Sequence, residues 1–243
     1  MFNNTYLPVS TTGIVIKLSG GADSSILYYG VCKYLADNNL NIPLYVITMD
    51  TNRKPWYSHY AKKVIKFTNE ELGISPNEHK TTFLDGNWTV EDYDWTQHCL
   101  MTSVIDDGLA NIAYSGLTQN PTESDLTLTL AHPSFNKNGI GHAHEIIKAT
   151  DKSRNDYSKQ PIFRSCGNYT MIRPFVRKTK KAVRDWYKKY EVMETLFPLT
   201  YSCEETDNTL KIPLSVVNNF QEHTHCGCCW FCMERIYAFG RLV

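Results

Sequence analysis

Apolar residues recur along the chain in two alternating patterns. Short runs in which nearly every position is apolar, such as GIVIKLS at 13–19 and LYVITMD at 44–50, predict buried strands. Longer segments with apolar residues at every third or fourth position, at 24–39 and 57–74, predict amphipathic helices. Because strands and helices alternate, the sequence predicts an α/β fold in which a parallel sheet has helices on both faces.

The same patterns continue toward residue 200 and complete a Rossmann-like domain, which we place at 1–200. The further elements that we expect are strands at 79–85, 111–116 and 169–175 and helices at 94–110 and 178–190.

Two segments depart from this alternation. Residues 118–160 are polar and without strong periodicity, which predicts an insertion that covers a substrate. Residues 201–243 contain clustered cysteines and predict a small C-terminal metal-binding segment.

The turn SGGADSS at 19–25 joins the first strand to the first helix. Its two adjacent glycines allow positive φ and remove Cβ crowding, so that backbone N–H groups can converge on an anion. The start of a helix adds unpaired N–H groups and a positive dipole end, and the three serines add hydroxyl donors. The pattern therefore predicts a phosphate site at the carboxyl ends of the strands. The alternative is an ordinary strand–helix turn capped by Ser or Asp.

Four of the eight cysteines lie within seven positions near the C-terminus. Cys226, Cys229 and Cys232 have C-x2-C-x2-C spacing, and a tetrahedral zinc ion needs one further ligand. Cys203 is the preferred fourth ligand because it ends an apolar-aromatic run that can return to the cluster. The other candidates for that position are His223, His225 and Cys228. A disulfide or a redox C-x-x-C pair is the competing interpretation.

Composition narrows the class of protein. Apolar residues are 42% and charged residues 21% of the 243 positions, as in ordinary globular proteins. The formal net charge is zero, which argues against nucleic acid as a partner. The chain has no apolar stretch long enough to span a membrane, and its first residues lack a signal-peptide pattern, so we expect a cytoplasmic protein.

The turn SGGADSS resembles the signature of the PP-loop ATP pyrophosphatase superfamily. Members of this superfamily bind ATP, cleave it between the α and β phosphates and transfer AMP to a substrate oxygen. The resemblance implies that Ser19, Asp23 and Ser24 are catalytic, and that Asp23 either binds Mg²⁺ or orients backbone donors. It also implies a cofactor-binding set of Ser19, Gly20, Gly21, Asp23, Ser24 and Ser25 on the pyrophosphate and Asp50 near the adenosine.

The C-terminal segment resembles the 7-cyano-7-deazaguanine synthase family, which ends in Ser-Cys, Cys-Gly-x-Cys-x-x-Cys, an Arg and an Ala/Gly-Phe. The segment RPFVRKTKKAVRDW also looks like the strand and Thr-Lys helix of that family. The resemblance implies an ATP-dependent ligase that converts a 7-carboxy-7-deazaguanine and ammonia into the nitrile. Its cofactors would be ATP, Mg²⁺ and Zn²⁺, the last bound by the four cysteines. Whether the protein forms a homodimer stays open.

The middle of the chain departs from that family, so that Gly116, Asn120 and Asp125 cannot be matched securely to its acceptor-binding residues. Two other functions therefore stay open. One is a tRNA-modifying thiolase or another PP-loop amidotransferase, for which Cys166 would be the reactive thiol. The other is a nucleotide-binding protein without activity. The candidates for a phosphate-binding cation are Arg173, Arg177 and Lys180.

Overall fold

A computed structural model describes residues 7, 8, 10–52, 54–132, 162–203, 225–227 and 229–242. Of the expected substrate-covering insertion, only 118–132 belong to these described residues. His223 and Cys228, two of the alternative metal ligands, lie outside them.

The predicted alternation of strands and helices is confirmed. The strands are β1 (Ile14–Lys17), β2 (Leu44–Thr51), β3 (Glu78–Leu84), β4 (Ile112–Tyr114), β5 (Phe163–Cys166) and β6 (Tyr169–Ile172). The helices are α1 (Ala22–Asp37), α2 (Tyr57–Leu72), α3 (Val90–Asp106), α4 (Glu123–Leu130), α5 (Lys180–Lys189) and α6 (Trp230–Phe239). A short 3₁₀ helix follows α5 at Phe197–Leu199.

The described strands form one sheet in the order β3-β2-β1-β4-β6-β5. All neighbours are parallel except β5 and β6, which form an antiparallel hairpin at one edge. The sheet is therefore mostly parallel, as predicted, with one antiparallel strand at its edge. The side chains of β5 are largely exposed, which is why an apolar pattern did not reveal it.

The two faces of the sheet have separate apolar cores. Ile14 and Ile16 of β1 pack toward α1, α2 and α5. Val15, one position away in the pleat, packs instead toward Met101 and Val104 of α3. This alternation of side chains along each strand places helices on both faces, as the sequence predicted.

Helix boundaries differ from the prediction where local capping decides them. Helix α3 begins at Val90 because Thr89 and Asp92 form a capping box, in which each side chain accepts a backbone N–H of the other residue. Helix α4, which was not predicted, begins after a similar reciprocal pair between Thr122 and Asp125. In the described part of the chain, no helix has both the length and the apolarity needed to cross a membrane.

Candidate functional site

A cavity of about 630 Å³ opens at the carboxyl ends of the central strands. The segments 17–19, 47–49 and 115–118 supply its floor at the ends of β1, β2 and β4. This position agrees with the rule that ligands of open α/β sheets bind beyond the carboxyl ends of the strands. Of the predicted cofactor-binding residues, those that line the cavity are Ser19, Gly21, Asp23 and Ser24.

The glycine turn lies between β1 and α1. Gly20 has φ +72°, which disfavours other L-residues, and Gly21 has φ −76° and precedes the first residue of α1. A Cβ atom on Gly20 would lie 2.4 Å from Cβ of Tyr60 and 2.8 Å from N of Ala61. The bare backbone at Gly20 is therefore needed for the close approach of α2, and only Gly21 faces the cavity.

Two serine hydroxyls organise the turn internally. Ser24 Oγ accepts a hydrogen bond from the backbone N–H of Ser19 at 3.1 Å and lies 3.1 Å from Ser19 Oγ. The N–H of Gly21 donates to Ser19 Oγ at 3.4 Å. These groups can exchange their mutual hydrogen bonds for those of an anion at the helix start. Ser25 instead is fully buried, and its N–H donates to Gly21 O within the helix.

Asp23 lies in a buried charge network at the base of the cavity. Lys180 Nζ is 3.6 Å from Asp23 Oδ2 and 3.0 Å from a carboxylate oxygen of Glu234. Glu234 is fully buried and Lys180 nearly so, while the Thr118 hydroxyl donates to Asp23 at 3.5 Å. The ammonium group thus compensates a carboxylate that would otherwise repel a phosphate. Of the three candidate cations, Lys180 lines the cavity, and Arg173 and Arg177 are not among its lining residues.

Asp50, the predicted adenosine contact, interacts with the start of α2. Its Oδ1 accepts the backbone N–H of Ser58 at 2.8 Å, in the first turn of α2. Burial raises the pKa of this carboxyl, and the hydrogen bonds from Ser58 oppose that rise. Asp50, like Gly20 and Ser25, is not among the residues that line the cavity.

The α3 side of the cavity contains polar residues that the sequence reasoning missed. Lys17 Nζ donates to Gln97 Oε1 at 3.1 Å, and Gln97 Nε2 donates to Tyr93 Oη at 3.4 Å. All three line the cavity. The signal available in the sequence was a single charged residue inside the otherwise apolar run IVIKLS.

The structure brings the four predicted cysteines together. The Sγ atoms of Cys203, Cys226, Cys229 and Cys232 all lie within 4.8 Å of one another. Two of the separations, Cys226 to Cys232 and Cys203 to Cys229, are 3.8 Å. A tetrahedral zinc ion with Zn–S bonds of about 2.3 Å places its sulfurs about 3.8 Å apart, so that the group fits one zinc ion.

Backbone geometry supports thiolates in this group. The N–H of Cys226 points to Cys203 Sγ at 3.5 Å, and the N–H of Cys229 points to Cys226 Sγ at 3.2 Å. Cys229 and Cys232 lie at the start of α6, where the helix dipole also favours negative charge. Hydrogen bonds among the four thiols lower the pKa of Cys203 and raise those of Cys226 and Cys232, so that the thiolate character is concentrated on Cys203. His225, an alternative ligand, is outside the group and packs its ring against Tyr201.

Direct contacts join the cysteine segment to the glycine turn. The N–H of Tyr201, two residues before Cys203, donates to Gly20 O at 3.0 Å. Phe231, between Cys229 and Cys232, lines the cavity, as does Ser202. The guanidinium of Arg235 is buried and donates to Thr200 O at 3.1 Å and to Ser202 Oγ at 3.3 Å. The cysteine segment is therefore part of the wall of the cavity.

Other candidate residues lie elsewhere. Asp125 accepts hydrogen bonds from Thr122, pairs with Lys181 at 3.7 Å and is not a lining residue. Cys166 ends the edge strand β5 and likewise is not a lining residue. Gly116 lines the cavity, where a Cβ atom would lie 2.9 Å from N of Ser24. Its lack of a side chain lets the end of β4 approach the start of α1.

Comparisons with known proteins give a distant structural similarity and no match in sequence. No protein-family model and no curated protein matches the sequence. Among solved structures, the chain is similar to the U34-tRNA thiolase NcsA from Methanococcus maripaludis with its [4Fe-4S] cluster, at 14% identity and a TM-score of 0.45. The match covers 88% of this chain and 66% of the thiolase, so that the chain spans just under two thirds of the thiolase's length. At this identity and TM-score, the similarity says nothing about the substrate or the metal of this chain.

Proposed function

We propose that the protein cleaves ATP between its α and β phosphates and transfers AMP to a carboxylate. The observation that supports this most directly is the Ser-Gly-Gly-x-Asp-Ser-Ser turn at the start of α1, which opens into a cavity together with the buried Lys180. A helix start, two serine hydroxyls and a buried ammonium form an environment for a leaving pyrophosphate. No lysine follows the glycines within the turn, so that Lys180 of α5 would supply the missing cation.

The residues present fit the metals that this chemistry would use. Mg²⁺ is bound in proteins by one or two carboxylates together with substrate phosphates, and Asp23 is a carboxylate in the cavity wall. When bound, the ion would neutralise phosphate charge. The four cysteines fit a single zinc ion, whose role would be structural because all four ligand positions are filled by thiolates. The compact sulfur group fits one ion better than a cubane cluster, in which each thiolate binds a different iron.

The acceptor that we propose is 7-carboxy-7-deazaguanine, with ammonia as the nitrogen donor. A carboxylate oxygen attacks the α phosphorus and pyrophosphate leaves; ammonia then displaces AMP and gives the amide. A second ATP adenylates the amide oxygen, which leaves with AMP as the nitrile forms. The support for this acceptor is the resemblance of the C-terminal motif, together with a cavity that has aromatic side chains in its wall.

The test is a measurement of AMP and pyrophosphate by chromatography with purified, zinc-loaded protein. We expect AMP to form only when both 7-carboxy-7-deazaguanine and an ammonium salt are present, and a nitrile product to appear by mass spectrometry. Asp23→Asn and Ser24→Ala should each reduce AMP formation by about 100-fold or more, since they alter groups that stabilise developing phosphate charge. The matched controls are Asp37→Asn and Ser103→Ala, which lie away from the cavity and should leave the rate unchanged.

The results of this assay test the proposed acceptor and the proposed ATP chemistry separately. AMP formation that requires tRNA instead of the deazaguanine acid would replace the acceptor and leave the ATP chemistry in place. In that case Cys166→Ser should abolish activity, as expected for a thiolase. Binding of ATP without any AMP formation, across a panel of carboxylates and tRNA, would contradict the proposed reaction and favour a nucleotide-binding protein.

A further inference from the structure

We propose that Lys17, with Gln97 beside it, forms the subsite that binds the carboxylate of an aromatic acceptor. The inference rests on the proposed function, in which ATP occupies the side of the cavity formed by the glycine turn. It adds the residues that would recognise the second substrate.

Lys17 and the glycine turn lie on different sides of the cavity. Side chains of β1 alternate, so that Ile16 faces the α1 layer and Lys17, like Val15, faces α3. The chain then turns at Ser19 toward the start of α1. A nucleotide at the turn and an acceptor at Lys17 would therefore enter the same cavity from opposite walls.

The ammonium group of Lys17 is held in place by neutral partners. It donates a hydrogen bond to the amide oxygen of Gln97, whose own NH₂ donates to Tyr93. Among the residues that the structure describes, no carboxylate lies within 4 Å of Lys17 Nζ. A half-buried ammonium with remaining donor capacity and no bound carboxylate is suited to an anionic ligand.

Burial of the ammonium group also affects the pKa of Lys17. Burial lowers the pKa of Lys17 to about 8, with Asp94 opposing that shift and Arg173 adding to it. At neutral pH the amine is still mostly protonated and can pair with a carboxylate. Lys180, by contrast, is already engaged by Asp23 and Glu234, so that the two lysines have separate partners.

Aromatic rings in the cavity wall near Lys17 indicate a planar acceptor. The rings of Tyr57, Trp88 and Tyr93 line the cavity, and the rings of Trp88 and Tyr93 are 5.7 Å apart. Aromatic side chains of this kind pack favourably against flat ring systems. The combination of an ammonium group and aromatic rings selects an aromatic carboxylate over an aliphatic one.

The experiment compares two probes that differ in charge, anthranilate and its neutral amide anthranilamide, by fluorescence titration with α,β-methylene-ATP at saturation. We expect the wild-type protein to bind anthranilate about tenfold or more tightly than anthranilamide, since charge-assisted hydrogen bonds are the stronger ones. Lys17→Met should abolish this preference and leave the affinity for α,β-methylene-ATP within about twofold. Lys17→Arg, which keeps the charge, should retain part of the preference, and Lys33→Met is the control for an exposed lysine.

Three results would overturn the inference. They are the absence of an anthranilate preference in the wild-type protein, an undiminished preference in Lys17→Met, and a loss of α,β-methylene-ATP affinity as large as the loss of anthranilate affinity. The last would assign Lys17 to the nucleotide. Because binding is measured without turnover, a failed AMP assay with deazaguanine acid would leave the anthranilate preference intact, and the two failures can be distinguished.

Discussion

The two glycines of the turn have different roles although they are adjacent. Gly20 has positive φ, and its missing Cβ makes room for Tyr60 and Ala61 of α2. Gly21 has an ordinary extended conformation, and a Cβ there would meet Ser19 Oγ at 3.4 Å and Ser202 Oγ at 3.5 Å. At the scale of single residues, one glycine is therefore explained by packing, and the other lines the cavity.

Gly20→Ala should be far more destabilising than Gly21→Ala. The left-handed conformation alone costs an L-residue about 1–2 kcal/mol, and the contact with Tyr60 adds overpacking of about 1–3 kcal/mol. Gly21→Ala should change the free energy of unfolding by less than about 1 kcal/mol. Urea denaturation of the two variants measures this difference, and equal losses of stability would contradict the assignment.

Lys180 and Glu234 form the buried part of the charge network, and their separate removal should be costly. Lys180→Met leaves Glu234 buried without its ammonium partner, which we expect to cost about 3–5 kcal/mol in the free energy of unfolding. The double variant Lys180→Met with Glu234→Gln should recover much of this stability, because the fully buried carboxylate is gone and only the partly exposed Asp23 loses its ammonium partner.

Activity distinguishes the catalytic from the structural contribution of Lys180. The double variant should stay inactive in the AMP assay, since the cation that we propose for the phosphates is still missing. Recovery of both stability and AMP formation in the double variant would show that Lys180 serves only to neutralise buried carboxylates.

At the scale of elements, the sequence predicted those that repeat a clear apolar pattern. Helices α1 and α2 were found to within two residues at each end, because buried apolar residues recur along both at helical spacing. The start of α3 at Val90 was placed four residues too late, since its capping box is polar and precedes the apolar stripe. Strand β5 was missed because its pairing with β6 depends on backbone hydrogen bonds and not on buried side chains.

The residues of the candidate site also fall into two groups, those that a sequence motif reveals and those that only the structure reveals. Local motifs revealed Ser19, Asp23 and Ser24 and the four cysteines, because each set lies within a short spacing or ends a recognisable segment. The contributions of Lys17 and Glu234 depend on which elements meet in three dimensions, and neither stands in a motif. Lys180 was one of three candidate cations, and only the packing of α5 against α6 distinguishes it.

Loss of one cysteine should release the zinc ion that we propose for the four-cysteine group. Cys203→Ser removes one of four thiolates, so that zinc content measured after denaturation in a colorimetric assay should fall from about one per chain to a small fraction. Unfolding of the segment that includes α6 should follow, because metal binding contributes directly to its folding. Cys166→Ser is the matched control, since Cys166 lies outside the group and should keep its zinc. Full zinc retention in Cys203→Ser would exclude Cys203 as a ligand.

At the scale of the whole molecule, direct contacts join the glycine turn to the cysteine group. The N–H of Tyr201 binds the carbonyl of Gly20, and Glu234 of α6 pairs with the lysine that faces Asp23. Because these contacts join the glycine turn to the cysteine segment, a ligand that binds at one of the two should stabilise the other. Thermodynamic linkage then requires that the effect be equal in both directions.

Saturating α,β-methylene-ATP should therefore tighten zinc binding, and bound zinc should tighten α,β-methylene-ATP binding by the same factor. For a typical coupling free energy, this factor is about 5-fold or more. Competition with a chelator of known affinity measures the first effect, and calorimetry on zinc-loaded and zinc-free protein measures the second. Glu234→Gln weakens one of the two connections and should reduce both factors together, while Asp37→Asn on the exposed surface of α1 should change neither. Zinc affinity that does not respond to the nucleotide analogue would show that the cysteine group is an independent structural element.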